Sequence, residues 1–166
     1  PRPDVVTPLL KVLKDNNDQD PALRHAVVMA LASLGNPTRL LDQFDDAGQD
    51  LQKSKSVRIG VVVALRRLRA LEITRFLHDP DRQVVEEAAR AIHDLPISGA
   101  LPALADLLAV NGIQQSDNLL RRAMNANLRL GSSAAALRLA NFAADTNQSQ
   151  ALRLAALSLL AQWESP

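Results

Sequence analysis

Apolar residues along this chain recur at helical rather than strand spacing, and they recur as a repeating phrase. The phrase opens on an acidic or small polar residue, takes an apolar-Arg step, continues through small residues one helical turn apart and closes on leucine. It reads Leu23-Arg24, Ala26, Ala30, Leu31, Leu34, and then Val57-Arg58, Gly60, Ala64, Leu65, Leu68. Looser copies follow as Val84, Ala91, Ile92, Leu95, as Leu120-Arg121, Ala123, Leu128, and as Leu152-Arg153, Ala155, Leu160, Trp163. Their first positions are separated by 34, 27, 36 and 32 residues, the period range of stacked helical hairpins. No segment alternates over a strand length without a helical alternative, so essentially no sheet is expected.

Start and stop signals divide the pattern into five helix pairs. The first pair is predicted over 4–14 and 21–34, with Asp20-Pro21 as its internal start: the carboxylate accepts from orphan amides and proline at the first position loses nothing. Gly35-Asn36-Pro37 stops that helix and starts the next. The second pair is expected over 38–46 and 56–69 with a loop over 47–55. The third has a short first helix over 71–77 and a second over 82–94 after the turn Asp79-Pro80-Asp81. The fourth covers 99–110 and 117–130, split at Asn111-Gly112 and closed by Gly131, and the fifth covers 132–144 and 149–163. The expectation is one array over 1–166, with repeats at roughly 4–35, 37–69, 71–95, 99–131 and 132–163, forming an all-α, right-handed α-solenoid whose second helices line the concave side.

Composition constrains how such helices pack. Hydrophobic residues make up 47% of 166, but aromatics only 2%, with no Tyr, one Trp and three Phe. The core must therefore be built from Ala, Leu and Val, which suits closely approaching helices. With no cysteine, disulfides, thiolate metal sites and a Cys nucleophile are excluded within these residues. No apolar run is long enough for a membrane span. The start Pro1-Arg2-Pro3, with neither Met nor signal peptide, predicts a piece of a longer chain.

The step Asp-Pro-x-Leu-Arg-x-Ala-x-x-x-Ala-Leu-x-x-Leu-Gly, present as Asp20 to Gly35, resembles a bacterial HEAT repeat of the kind also found in phycobilin lyase subunits. A narrower likeness lies in Glu87-Ala88-Ala89-Arg90-Ala91-Ile92-His93-Asp94-Leu95-Pro96-Ile97, Ala100-Leu101-Pro102-Ala103-Leu104-Ala105 and Leu120-Arg121-Arg122-Ala123-Met124-Asn125-Ala126-Asn127. These are similar to the HEAT segment of large exported bacterial proteins with a sorbosone-dehydrogenase-like propeller before the repeats and a c-type haem domain after them. The resemblance implies a connector or docking array in a periplasmic or exported redox protein. It implies no cofactor in this chain, with haem c in neighbouring domains of the parent. Its alternatives are a phycobilin-lyase-type subunit gripping a protein and, third, a HEAT-like nucleic-acid-binding protein.

Charge is uneven around a net of +1. Residues 51–78 hold seven cations, Lys53, Lys55, Arg58, Arg66, Arg67, Arg69 and Arg75, against Glu72 alone. Residues 1–50 carry five basic and eight acidic side chains, and residues 79–94 two and five. The basic stripe is either a docking site for an acidic partner or nucleic-acid backbone, or a solvated face paired with its acidic flanks. Nucleic acid is the poorer candidate, because stacking aromatics are nearly absent.

Four arginines, Arg24, Arg58, Arg121 and Arg153, share one position of successive second helices and read as a structural ladder, each satisfying carboxylates and helix-end carbonyls of a neighbouring repeat. Val85 takes that place in the third repeat. Glu86, Glu87, Arg90, His93 and Asp94 form a dense polar cluster whose i,i+4 spacing ion pairing explains, although Glu86 and His93 also fit an acid/base or metal pair. Only His25 and His78 join His93, and no His-x-x-x-His metal spacing, phosphate loop or catalytic triad is present, so no catalytic or metal residue is assigned. The expected partner-binding surface is Arg66, Arg67, Glu86, Arg90, His93, Arg122, Asn125 and Arg129. Asn127 replaces the alanine of earlier repeats and predicts a buried amide bonded to loop carbonyls of the adjacent repeat. Trp163 is expected to plug the end of the array. The helix before it, nearly apolar all round, is expected to be covered by further chain or a partner.

Overall fold

A computed structural model describes residues 4–109 and 116–163, and these are helical with no strand among them. The elements are α1 (Val6–Asn16), α2 (Pro21–Ser33), α3 (Pro37–Asp46), α4 (Gln49–Lys53), α5 (Lys55–Leu68), a 3-10 segment (Leu71–His78) and α6 (Arg82–Asp94). There follow α7 (Leu101–Asp106) between 3-10 turns at Ser98–Ala100 and Leu107–Ala109, then α8 (Asp117–Leu130), α9 (Ser133–Ala144) and α10 (Gln150–Ala161). The expected end of a helix at Val110 and the split at Asn111-Gly112 lie outside the described residues. No helix is long and apolar enough to cross a membrane among the described residues.

The helix ends follow their local chemistry. Asp20 caps α2 by accepting from the amides of Ala22 (2.8 Å) and Leu23 (3.1 Å). Asn36 caps α3 through the Arg39 amide at 2.9 Å, with Pro37 in the first turn as predicted. Ser116, Ser132 and Ser149 cap α8, α9 and α10, so the last two helices begin one residue after the predicted starts. Gly131 closes α8 in the left-handed conformation at φ 65°, which a β-carbon disfavours.

Three departures come from segments too short to carry a period, and a fourth lies at the end of α10. The 47–55 loop contains the helix α4. The 71–77 helix is instead a 3-10 segment whose buried residues are Ile73, Phe76 and Leu77. The 99–110 helix is broken into α7 and two 3-10 turns; Pro102, which lacks an amide donor, sits in the first turn of α7, so the α-helix starts there rather than at 99. Trp163 lies beyond the end of α10 and is only partly buried, against a cluster that includes Met124, Leu139, Phe142 and Leu152. Leu154 and Leu157 on α10 stand about half exposed.

The chain divides into two compact units, residues 1–91 and 92–166. In the first, α1 packs on α2, α3 and α5, and α2 packs along α5, with Leu10, Leu13, Leu31 and Leu65 fully buried. In the second, α8 packs on α7, α9 and α10, and α9 packs along α10. Gly60 shows how the aromatic-poor core achieves close approach. A β-carbon there would overlap Leu13 Cδ1 and lie 3.2 Å from Cδ2, so a methyl fits between α5 and α1 only if the Leu13 side chain moves.

Gly60→Ala adds roughly 1 kcal/mol of helix propensity but forces Leu13 from its place, an overpacking that typically costs about 1–3 kcal/mol. Urea unfolding is expected to show a net loss of about 1 kcal/mol. Combining Gly60→Ala with Leu13→Val should then fall short of the sum of the single losses; strict additivity would place the crowding elsewhere.

Candidate functional site

The residues expected to bind a partner fall four in each unit. In the first unit Arg66 and Arg90 are tied through Glu87. Arg66 Nη1 lies 3.8 Å from Glu87 Oε1, and Arg90 Nη1 lies 3.5 Å from Glu87 Oε2, so one carboxylate serves two guanidiniums. Glu86 accepts from Arg82 Nε at 2.9 Å, an i,i+4 pair on α6. Arg67 is exposed at the end of α5.

In the second unit the other four come together. α8 presents Asn118, Arg121, Arg122 and Asn125 at i, i+3, i+4 and i+7, the spacing of one helix face. With His93 and Asp94 from the end of α6 they line an open depression of about 330 Å³. His93 Nε2 lies 3.3 Å from Asn125 Oδ1, and its Nδ1 lies 2.9 Å from Asp94 Oδ1. Both ring nitrogens thus face oxygens, which fixes the orientation of the ring. Arg129 Nη1 donates to the His93 carbonyl at 2.8 Å, which makes it a tie to the end of α6 rather than part of the lining. Arg122 Nη1 reaches only the Asn118 carbonyl, at 3.5 Å, and Arg121 is exposed with no ion-pair partner among the described residues. Two guanidiniums, an imidazole and two amides can receive an anionic group here. Among the described residues no group of three or more metal-ligating side chains is assembled.

Beneath this face lies a polar network that the sequence marks only at one end. Asn127 is fully buried. Its Nδ2 donates to the Ala105 carbonyl (3.0 Å) near the end of α7 and to the Ala123 carbonyl (2.9 Å) in its own helix. Its Oδ1 accepts from Arg138 Nε at 2.8 Å, and Arg138 Nη1 in turn lies 3.3 Å from Asp106 Oδ1. The carbonyl partners are helical rather than loop groups, and every polar atom of the amide is used at home. Arg138 carries no sequence signal, since an arginine on α9 reads as solvated until its partner is known.

Of the four arginines of the predicted ladder, Arg121 forms no rung among the described residues and the other three bind closer to home than expected. Arg24 Nη1 lies 3.1 Å from Asp18 in the turn before its own helix. Arg153 Nε donates to the Ala143 carbonyl at 2.8 Å, in the last turn of α9. Arg58 Nη1 donates to the carbonyls of Gln52 (3.0 Å) and Lys53 (2.8 Å) at the end of α4. Its Nε lies 3.1 Å from Asp79 Oδ2 but is misaligned for a hydrogen bond, so that contact is an ion pair. Only Arg58 thus reaches past its own hairpin. Burial pushes the Asp79 carboxyl above its ordinary value of 3.8, against the opposing pull of the Asp81 amide and the Arg58 charge. Arg75 completes the account of the basic stripe: it forms a bidentate pair with Asp45 (2.8 and 3.0 Å) and lies over the rings of Phe44 and Phe76.

No protein-family model matches the chain, and no curated protein matches it.

Arg58→Ala leaves two helix-end carbonyls and the almost buried Asp79 without their cation and is expected to cost about 3 kcal/mol in urea unfolding at neutral pH, with Arg58→Lys recovering only part. A carboxyl held above its ordinary value contributes stability below that value, lost as pH rises through the folded one; Arg58→Ala raises Asp79 further. The deficit should therefore narrow as pH falls toward 4, and a pH-independent deficit would exclude the pair as its source. Asn127→Ala should cost about 2 kcal/mol, with a coupling to Arg138→Ala of about 1 kcal/mol in a double-mutant cycle.

Proposed function

We propose that the chain is a non-catalytic protein-interaction or interdomain scaffold module of a larger dehydrogenase- or cytochrome-like redox protein, its hairpins forming a right-handed α-solenoid of about five HEAT-like repeats. The observation that carries the reading is the convergence of His93, Arg122 and Asn125, with Arg121, on one open depression in the second unit. An open, polar, cationic surface suits a carboxylate-bearing protein segment better than a small substrate, which calls for an enclosed and mostly apolar site. Haem and dehydrogenase chemistry would belong to the partner domains.

Pull-down with the tagged chain and mass spectrometry on the retained proteins tests this. The wild type should retain a c-type haem or dehydrogenase domain that Arg121→Glu/Arg122→Glu releases; retention of neither domain by the wild type overturns the reading. For the array itself, small-angle scattering should give a radius of gyration clearly above the roughly 15 Å of a compact globule of this length.

A further inference from the structure

α2 and α10 each expose a face that holds no acid, lysine or arginine. On α10 the exposed residues share one stripe through Ala151, Leu154, Leu157 and Ala161. On α2 Leu23, Ala26 and Met29 are exposed, and His25 is the one titratable residue beside them. The four large side chains, Leu23, Met29, Leu154 and Leu157, stand 41 to 53% exposed. Other helices differ: Lys11, Asp42, Arg82 and Arg121 lie exposed on α1, α3, α6 and α8.

The recurring phrase says what each face lacks. Aligning Leu23-Arg24 with Val57-Arg58 puts Ala22, Leu23 and Ala26 of α2 at the places of Ser56, Val57 and Gly60 of α5. Those three are buried in α5, where Gly60 meets Leu13 of the preceding hairpin. The α2 face is therefore the side that α5 turns to a preceding hairpin, left open. Aligning Leu23-Arg24 with Leu152-Arg153 puts Leu154 and Leu157 at the places of His25 and Val28. Val28 is buried on a helix packed along α5, and both it and His25 face Ile59 and Val63 there. The α10 face is therefore the side that α2 turns to a following helix, left open.

We propose that a second copy of this chain covers these faces: α10 of one copy packs on α2 of the next, repeating between molecules the α2–α5 packing of the first unit. Both faces are exposed, so they do not meet within one molecule. Neither brings an acid, lysine or arginine that the other would bury without a partner. Leu154 and Leu157 meet the small residues Ala22 and Ala26, large against small as Leu13 meets Gly60. Pairing of α10 with α10 would leave the α2 face uncovered, whereas a contact between unlike faces covers both and closes a ring or continues. The helices have 13 and 12 residues. At about 18–20 Å of helix the contact falls below the roughly 1,000 Å² of a stable interface, so the association is weak.

Sedimentation of the intact chain between about 10 μM and 1 mM tests this. The average mass should rise reversibly with concentration. Leu154→Glu/Leu157→Glu and Leu23→Glu/Met29→Glu should each stay monomeric, since each lacks one half of the contact; mixed, they should associate one to one and form nothing larger. Arg121→Glu/Arg122→Glu should associate as the wild type does, which separates this contact from the α8 cleft and leaves the proposed function standing if it fails. Thermal melts check folding, and Leu157→Gln or Met29→Gln replaces a variant that unfolds. A wild type still monomeric at about 1 mM overturns the proposal. Self-association of either single-face variant overturns it as well, and so does a mixture of the two that stays monomeric.

Discussion

A helix leaves four amides at its start and four carbonyls at its end without partners inside the helix. The longer helices here run only from 10 to 14 residues, so end groups are a large share of all their backbone polar groups. Much of the polar side-chain chemistry answers that demand. Asp20, Asn36, Ser116, Ser132 and Ser149 serve the starts. Arg58, Arg153, Asn127 and Arg129 reach carbonyls at the ends of α4, α9, α7 and α6. Two of the four recurring arginines, Arg58 and Arg153, thus answer a backbone need, while Arg24 meets a carboxylate. A guanidinium carries five donors in a fixed fork and can serve two carbonyls and a carboxylate at once, which Arg58 does with Gln52, Lys53 and Asp79.

The same constraint explains what was legible in the sequence. Helix ends are set by short-range chemistry, so Asp20-Pro21, Asn36-Pro37 and Gly131 could be read directly, and α6 and α8 occupy the residues expected of them. The short elements were not legible, since α4 has five residues and α7 six, too few to show a period. Tertiary burial of Leu51 and of Leu104 holds them in place instead. The site was half legible. Asn127 stood out because an amide replaced an alanine, and His93, Arg122 and Asn125 did meet. Arg138 and Asp106 could not be found, because their roles depend on which helix faces α8.

Charge counting along the chain overstated the free positive surface. Of the seven cations between residues 51 and 78, Arg58, Arg66 and Arg75 meet Asp79, Glu87 and Asp45, carboxylates from the flanking acidic stretches. Lys53 and Lys55 meet the side-chain carbonyls of Gln49 and Gln83. A linear stripe has become a set of local pairs between helices. The Arg75 pair also packs on Phe44 and Phe76, two of the three phenylalanines, whose faces add a cation–π attraction to the bidentate bond. Among the described residues Arg67 and Arg69 keep exposed, unpaired charge within the stripe, as do Arg121 and Arg122 on α8 outside it.

This distribution bears on what the chain can contribute to an interface. Binding energy in protein complexes concentrates on buried Trp, Tyr and Arg anchors. With no Tyr, and with its single Trp packed against its own core, this chain has arginine as its anchor type. A guanidinium gains most where a planar oxyanion meets it bidentately and water is displaced by apolar neighbours; on an open face the same pair is screened by salt and contributes little. The α8 cleft supplies guanidiniums without an apolar floor. Aromatic anchors would have to come from a partner, since the Ala-Leu-Val interior that lets these helices approach closely leaves none to offer.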